Sequence, residues 1–142
     1  MLHCSNTAHS RGMPHSDKPV RVFIAQDASR TRADVALTLD ACAALTVVGQ
    51  AQTPQDSIEG ILAAYPDVVV LDVELEGGSG LQVLRAVRHV APNIAFVVLG
   101  NGSDPAYRNG YLCEGADDFL DKSHEFDQLA HAVAKAAQQA AD

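Results

Sequence analysis

Five short runs of apolar residues alternate along the chain with segments whose apolar residues recur at helical spacing. The runs predicted as strands are Val20–Ala25, Thr46–Ala51, Val68–Asp72, Ile94–Leu99 and Asp118–Leu120. The segments predicted as helices are Ser29–Ala43, Pro54–Tyr65, Gly80–His89, Ser103–Cys113 and Glu125–Ala140. Strands that alternate with helices in this way predict an α/β domain, a (βα)5 unit whose doubly wound parallel sheet carries helices on both faces.

The third predicted strand indicates where in the fold a functional site would lie. Val68–Asp72 is apolar until its last residue, which is typical of a central parallel strand covered on both faces. In such sheets ligands bind beyond the carboxyl ends of the strands. The residues at or just past three of these ends are Asp27, Asp72 and Lys122.

These three side chains suit a divalent cation and a phosphoryl group. Mg²⁺ prefers one or two carboxylates together with waters and phosphate oxygens. A nearby metal and lysine keep an aspartate ionised and nucleophilic, and they offset the charge of an anionic donor. A single aspartate at a strand end is more often a turn residue or a helix cap, so the interpretation depends on the set of three.

Composition narrows the function classes. The 142 residues carry a net charge of −8, and an acidic domain repels phosphate backbones, so direct nucleic-acid binding is not expected. We expect residues 1–18 to form a disordered leader and residues 19–142 a single domain. The chain shows neither the apolar core of a signal peptide nor a membrane span, which favours a cytoplasmic location and no membrane contact.

The pattern resembles the receiver domains of bacterial two-component response regulators, in particular the chemotaxis-regulator type. The matching segments are VFIAQDASRTR, PDVVVLDVELEGGSGLQVLRAVR and GADDFLDKS, and the resemblance runs from about Val20 to Ala137. It implies a flavodoxin-like five-stranded sheet with strand order 2-1-3-4-5.

The same resemblance implies a role for each site residue. Asp72 would be the phosphoacceptor, and Lys122 would contact the phosphoryl group. Asp27 and Asp72 would bind Mg²⁺ through their carboxylates, and Glu74 through its backbone carbonyl. Phe119 stands where the family keeps a rotating aromatic side chain.

Three positions depart from the family's pattern. Gln26 replaces the first of two adjacent acidic residues, so it would bind the metal weakly or through water, and we expect a weakened Mg²⁺ site. Gly100 stands at the switch position after strand 4, where the family has a threonine or serine hydroxyl that contacts the phosphoryl group. Ser123 replaces the proline that often follows the lysine, which is a milder change.

The leading hypothesis is a stand-alone receiver that takes a phosphoryl group on Asp72 from a histidine kinase or phosphotransfer protein. It would not be an enzyme beyond gaining and losing its own phosphoryl group. A downstream protein partner would bind the face formed by helix 4, strand 5 and helix 5, through Tyr107, Arg108, Tyr111 and Gln128.

Two alternatives remain open. Gln26 and Gly100 favour a pseudo-receiver that docks a partner without phosphorylation, although such a module need not keep both Asp72 and Lys122. The chain would otherwise be the receiver part of a regulator whose output domain is missing. An unrelated flavodoxin-like enzyme or nucleotide binder has no support, because Gly77, Gly78 and Gly80 form no phosphate-binding motif.

Overall fold

The computed structural model describes residues 19–27, 29–100, 105–122 and 125–141. The leader predicted for residues 1–18 lies outside the described residues. Five parallel strands form one sheet in the order β2-β1-β3-β4-β5, which confirms the predicted topology. The strands are β1 (Val20–Ala25), β2 (Leu45–Ala51), β3 (Val68–Asp72), β4 (Ala95–Gly100) and β5 (Asp118–Asp121).

Five α-helices connect and follow the strands. They are α1 (Ser29–Asp40), α2 (Pro54–Ala64), α3 (Gly80–Val90), α4 (Pro105–Cys113) and α5 (Leu129–Ala141). The Thr53 side chain accepts a hydrogen bond from the Asp56 backbone N–H at 3.1 Å and so caps the start of α2. The last helix begins later than expected, because a 3-10 turn over Phe126–Gln128 precedes it.

The core has two parts, one on each face of the sheet. Along β1, Val22 and Ile24 point to the face covered by α1 and α5, and Phe23 and Ala25 point to the opposite face. The strands β3 and β4 are buried throughout, as their unbroken apolar sequences predicted. Among the described residues, no helix is long and apolar enough to cross a membrane.

The segment between β3 and α3 contains regular structure. Glu74–Leu75 and Gly78–Ser79 form a short antiparallel hairpin that leads directly into α3. Gly77 has a φ of +83°, a left-handed conformation that glycine adopts without strain, and this allows the tight turn. The hairpin places the start of α3 against the end of β3.

Candidate functional site

Asp72 and Lys122 meet at the carboxyl end of the sheet. Asp72 is the last residue of β3, and its side chain is only 3% exposed. Lys122 is the first residue beyond β5, and its Nζ donates a hydrogen bond of 2.9 Å to Asp72 Oδ2. The convergence of these two residues, expected from their positions at strand ends, is present in the structure.

The second carboxylate oxygen of Asp72 also has a donor. The backbone N–H of Glu74 donates to Asp72 Oδ1 at 3.3 Å. Burial raises the pKa of Asp72 above its usual value, and the Lys122 ammonium, the Glu74 N–H and the Asp27 charge act on it less strongly. Lys122 and Glu74 lower the pKa, and Asp27 raises it.

Asp27 and Gln26 lie at the end of the neighbouring strand β1 but differ in their surroundings. Gln26 is fully buried, and its backbone N–H donates to Ala51 O at 3.0 Å. Asp27 is exposed, and its charge is close enough to Asp72 to raise the pKa of that carboxyl group. The structure therefore brings Asp27 to the same edge of the sheet as Asp72.

The predicted magnesium site has few protein ligands. Within the part of the chain that the structure describes, no three acidic, histidine or cysteine side chains surround a common position. The expected donors are instead the carboxylates of Asp27 and Asp72 and the backbone carbonyl of Glu74. Because Mg²⁺ in proteins commonly takes one or two carboxylates and keeps several waters, this donor set fits the ion.

Gly80 lies against the end of β3, where there is no room for a side chain. A Cβ atom at residue 80 would lie 2.2 Å from the backbone oxygen of Asp72 and 3.2 Å from Leu71 Cγ. The backbone N–H of Gly80 also donates to Val73 O at 2.9 Å. Only glycine therefore lets α3 begin so close to the strand that carries Asp72.

Gly100 and Phe119 are in direct contact across β4 and β5. A Cβ atom at residue 100 would lie 2.5 Å from Phe119 Cζ and 2.8 Å from Cε1. The Phe119 ring is 3% exposed, so it is directed into the core. It fills the space beside the strand that a larger residue at position 100 would need.

Two residues of α4 hold the Phe119 ring in this place. The Tyr111 ring lies 5.8 Å from it between centroids, and the guanidinium of Arg108 lies 5.3 Å from its centroid. The Tyr111 hydroxyl donates to Val73 O at 3.3 Å, and Val73 is the residue that follows Asp72. The aromatic pair therefore connects α4 with the segment that follows β3.

The expected partner surface needs a correction. Tyr111 is only 4% exposed, so it is a core residue and not an interface anchor. Arg108 is partly buried, and it donates to Phe119 O at 2.9 Å and to Glu125 Oε1 at 3.1 Å. Gln128 is exposed as expected, and the Tyr107 side chain lies outside the described residues.

Sequence reasoning missed Glu125, which we assigned only to the start of the last helix. Its carboxylate accepts hydrogen bonds from the Asp121 backbone N–H at 2.9 Å and from Arg108. The acidic side chain a few residues after a strand-end lysine is the only signal that the sequence contains. Such a signal is weak, because an acidic residue is common where a helix begins.

The five-stranded parallel sheet and the contact between Asp72 and Lys122 at its carboxyl end are those of a receiver domain, a signalling module. The family model for the response regulator receiver domain matches residues 22–134, and the chain belongs to this family.

Comparison with individual proteins agrees with this membership. The chain is 31% identical over 116 residues to a transcriptional regulatory protein, YvfU, of Bacillus subtilis, covering 82% of this chain and 58% of that protein. It is 36% identical over 106 residues to protein-glutamate methylesterase/protein-glutamine glutaminase 2 of Burkholderia thailandensis, covering 72% and 29% respectively. The chain thus spans less than two thirds of these relatives.

Among solved structures, the signal receiver domain of NarL from Mycobacterium tuberculosis superposes with a TM-score of 0.80 and 30% identity. That match covers 85% of this chain and 98% of the NarL domain.

Proposed function

We propose that this receiver domain accepts a phosphoryl group on Asp72 from a histidine kinase or phosphotransfer protein and signals through protein contacts. The observation that carries the proposal is the 2.9 Å contact between Lys122 Nζ and the buried carboxylate of Asp72. An isolated buried carboxylate is costly, and a lysine partner offsets that cost while leaving an anion that can react. We place the domain in the cytoplasm with its phosphodonor.

The chemistry assigned to the side chains is a phosphoryl transfer. A carboxylate oxygen of Asp72 attacks the phosphorus of a phosphohistidine, the new O–P bond forms, and the P–N bond breaks. The departing imidazole nitrogen keeps the electron pair of that bond and takes a proton. The Lys122 ammonium neutralises charge that develops on the phosphoryl oxygens during this step.

A magnesium ion would be held by the carboxylates of Asp27 and Asp72 and by the Glu74 carbonyl. When bound, it supplies positive charge to the phosphoryl oxygens. Gln26 can offer only a neutral amide oxygen where a second acidic residue would offer a charge. The affinity of the site for Mg²⁺ is therefore lower than with an acidic pair.

Intact-protein mass spectrometry after incubation with acetyl phosphate and Mg²⁺ tests the proposal. The wild-type chain should gain one phosphoryl group, and Asp72→Asn should gain none. Asp34→Asn, which removes an exposed carboxylate on α1, is the matched control and should be labelled like wild type. Persistent label in Asp72→Asn, or no label in wild type with either acetyl phosphate or a phosphorylated kinase, would refute the assignment.

A pseudo-receiver that docks its partner without phosphorylation is the second candidate. The packing of Phe119 against Gly100 favours it, because the aromatic ring is already buried and no phosphoryl group is required to draw it inward. This candidate predicts no label in wild type and the same partner affinity for wild type and Asp72→Asn. The first candidate predicts that phosphorylation changes that affinity.

A further inference from the structure

The outer edge of β5 is closed by side chains. β5 is the last strand in the sheet order, so among the described residues no strand pairs with the backbone groups on its outer side. The Phe119 N–H donates to Asp118 Oδ1 at 2.8 Å, and Phe119 O accepts from Arg108 at 2.9 Å. This end of the sheet therefore depends on particular side chains for its hydrogen bonds.

Asp121 is the next residue of β5 whose backbone faces outward, and Glu125 binds both its N–H and its carbonyl group. The Asp121 N–H donates to Glu125 Oε1 at 2.9 Å, and the Glu125 N–H donates to Asp121 O at 2.7 Å. Both backbone groups of Asp121 are thus bound by one residue, and Asp121 is the residue immediately before Lys122. On the inner side, the Lys122 N–H donates to Gly100 O at 2.9 Å.

Arg108 binds the Glu125 carboxylate that accepts from the Asp121 N–H. Its guanidinium donates to Glu125 Oε1 at 3.1 Å, so one oxygen receives two hydrogen bonds. The same guanidinium is fixed by its contacts with the Phe119 ring and carbonyl. Hydrogen bonds to an ionised carboxylate are stronger than those between neutral groups, so Glu125 is held firmly against the backbone of Asp121.

We propose that Glu125, held by Arg108, is a positioning residue that keeps the Lys122 ammonium on Asp72. A lysine side chain is long and flexible, so the precision with which it reaches its partner depends on how firmly its backbone is fixed. In this sequence a serine follows the lysine, where a proline would restrict the backbone by itself. Glu125 provides that restriction by a hydrogen-bonded carboxylate instead.

The inference rests on the proposed phosphorylation of Asp72, and rates of labelling by acetyl phosphate with Mg²⁺ test it. Glu125→Ala should slow labelling roughly tenfold, less than the hundredfold that a misplacement of about 1 Å can cost. Glu125→Gln should restore most of the rate, because its amide oxygen can still accept the Asp121 N–H. Glu114→Ala breaks a surface ion pair with Arg85 of the same 3.1 Å length and should label like wild type.

A second measurement reports the position of Lys122 without phosphorylation. The chain has three lysines, Lys18, Lys122 and Lys135, so its ¹⁵N-lysine ammonium spectrum is simple and Lys122→Ala identifies the signal. The Lys122 ammonium donates to a buried carboxylate, so its protons should exchange slowly enough with water to be seen. The signal should vanish in Glu125→Ala and persist in Glu125→Gln and Glu114→Ala.

The two measurements separate the two ideas. If wild type is never labelled but the ammonium signal depends on Glu125 as described, the phosphorylation proposal fails and the positioning role stands. If the Glu125→Ala variant keeps the signal, or is labelled as fast as wild type, the positioning role is wrong. Circular dichroism of every variant checks the fold, and a Glu125→Gln variant as slow as the alanine variant would also contradict the proposal.

Discussion

Adding a single methyl group at residue 100 should destabilise the domain, because the Phe119 ring already occupies that space. In Gly100→Ala the new Cβ would start 2.5 Å from Phe119 Cζ, whereas carbon atoms in favourable contact are about 3.5–4.0 Å apart. The ring has little room to move away, since Tyr111 and Arg108 pack against it. Overpacking of this kind costs about 1–3 kcal/mol of unfolding free energy.

Urea denaturation followed by far-ultraviolet circular dichroism measures this loss as a lower midpoint with an unchanged slope. Gly110→Ala is the control, because a Cβ there has nothing within 4 Å and α4 would gain a better helix former. That variant should be stabilised by up to about 1 kcal/mol. In Phe119→Ala, which removes the ring, adding Gly100→Ala should cost little. Equal losses with and without the ring would refute the argument.

Three further predictions concern the site. In Gln26→Asp, Mg²⁺ measured by titration calorimetry should bind about 5- to 150-fold more tightly, a gain of about 1–3 kcal/mol from the added charge; unchanged affinity would place residue 26 away from the metal. Gly80→Ala should lose about 3 kcal/mol or more in urea denaturation, because its Cβ would meet the backbone oxygen of Asp72; a loss below about 1 kcal/mol would contradict the close approach. Folding raises the pKa of Asp72, so the folded chain binds more protons than the unfolded chain. The contribution of Asp72 to stability therefore falls as the pH rises from the pKa of the unfolded chain through that of the folded chain. In EDTA, Asp72→Asn should therefore be more stable than wild type at neutral pH and lose that advantage below about pH 3.8, and an advantage independent of pH would contradict this.

The strand pattern predicted most of the fold because a parallel sheet leaves a strong trace in sequence. A central strand needs an unbroken apolar run, and Val68–Asp72 has one, so its bounds were predicted correctly. Parallel strands end at one edge of the sheet, which brought Asp27, Asp72 and Lys122 together without any knowledge of their contacts. The pattern reports burial and strand direction, and those were enough to place these three residues at one edge of the sheet.

Side-chain direction on α4 could not be predicted. This nine-residue helix contains the adjacent apolar residues Tyr111 and Leu112, and only one of them can face the sheet. Tyr111 is buried, although the proposed interface required it to be exposed, and Leu112 is 39% exposed. A helix with so few apolar residues has no clear periodicity, so packing against Phe119 decides its rotation.

The role of Gly100 was only half predicted. The resemblance to receiver domains showed that a hydroxyl was missing there, but it did not show what occupies its place. The structure adds that the Phe119 ring fills the vacated volume, which depends on a contact between two different strands. A contact of that kind cannot be read from either segment alone.

The closed edge of β5 also bears on how other chains can associate with this domain. A strand with free outer amides invites a further strand, whether from a peptide ligand or from a second copy during aggregation. Here the side chains of Arg108, Asp118 and Glu125 already occupy the outward backbone groups of Phe119 and Asp121. A protein that binds at this end must therefore match shape and side chains, and sequence-specific recognition is favoured over indiscriminate strand pairing.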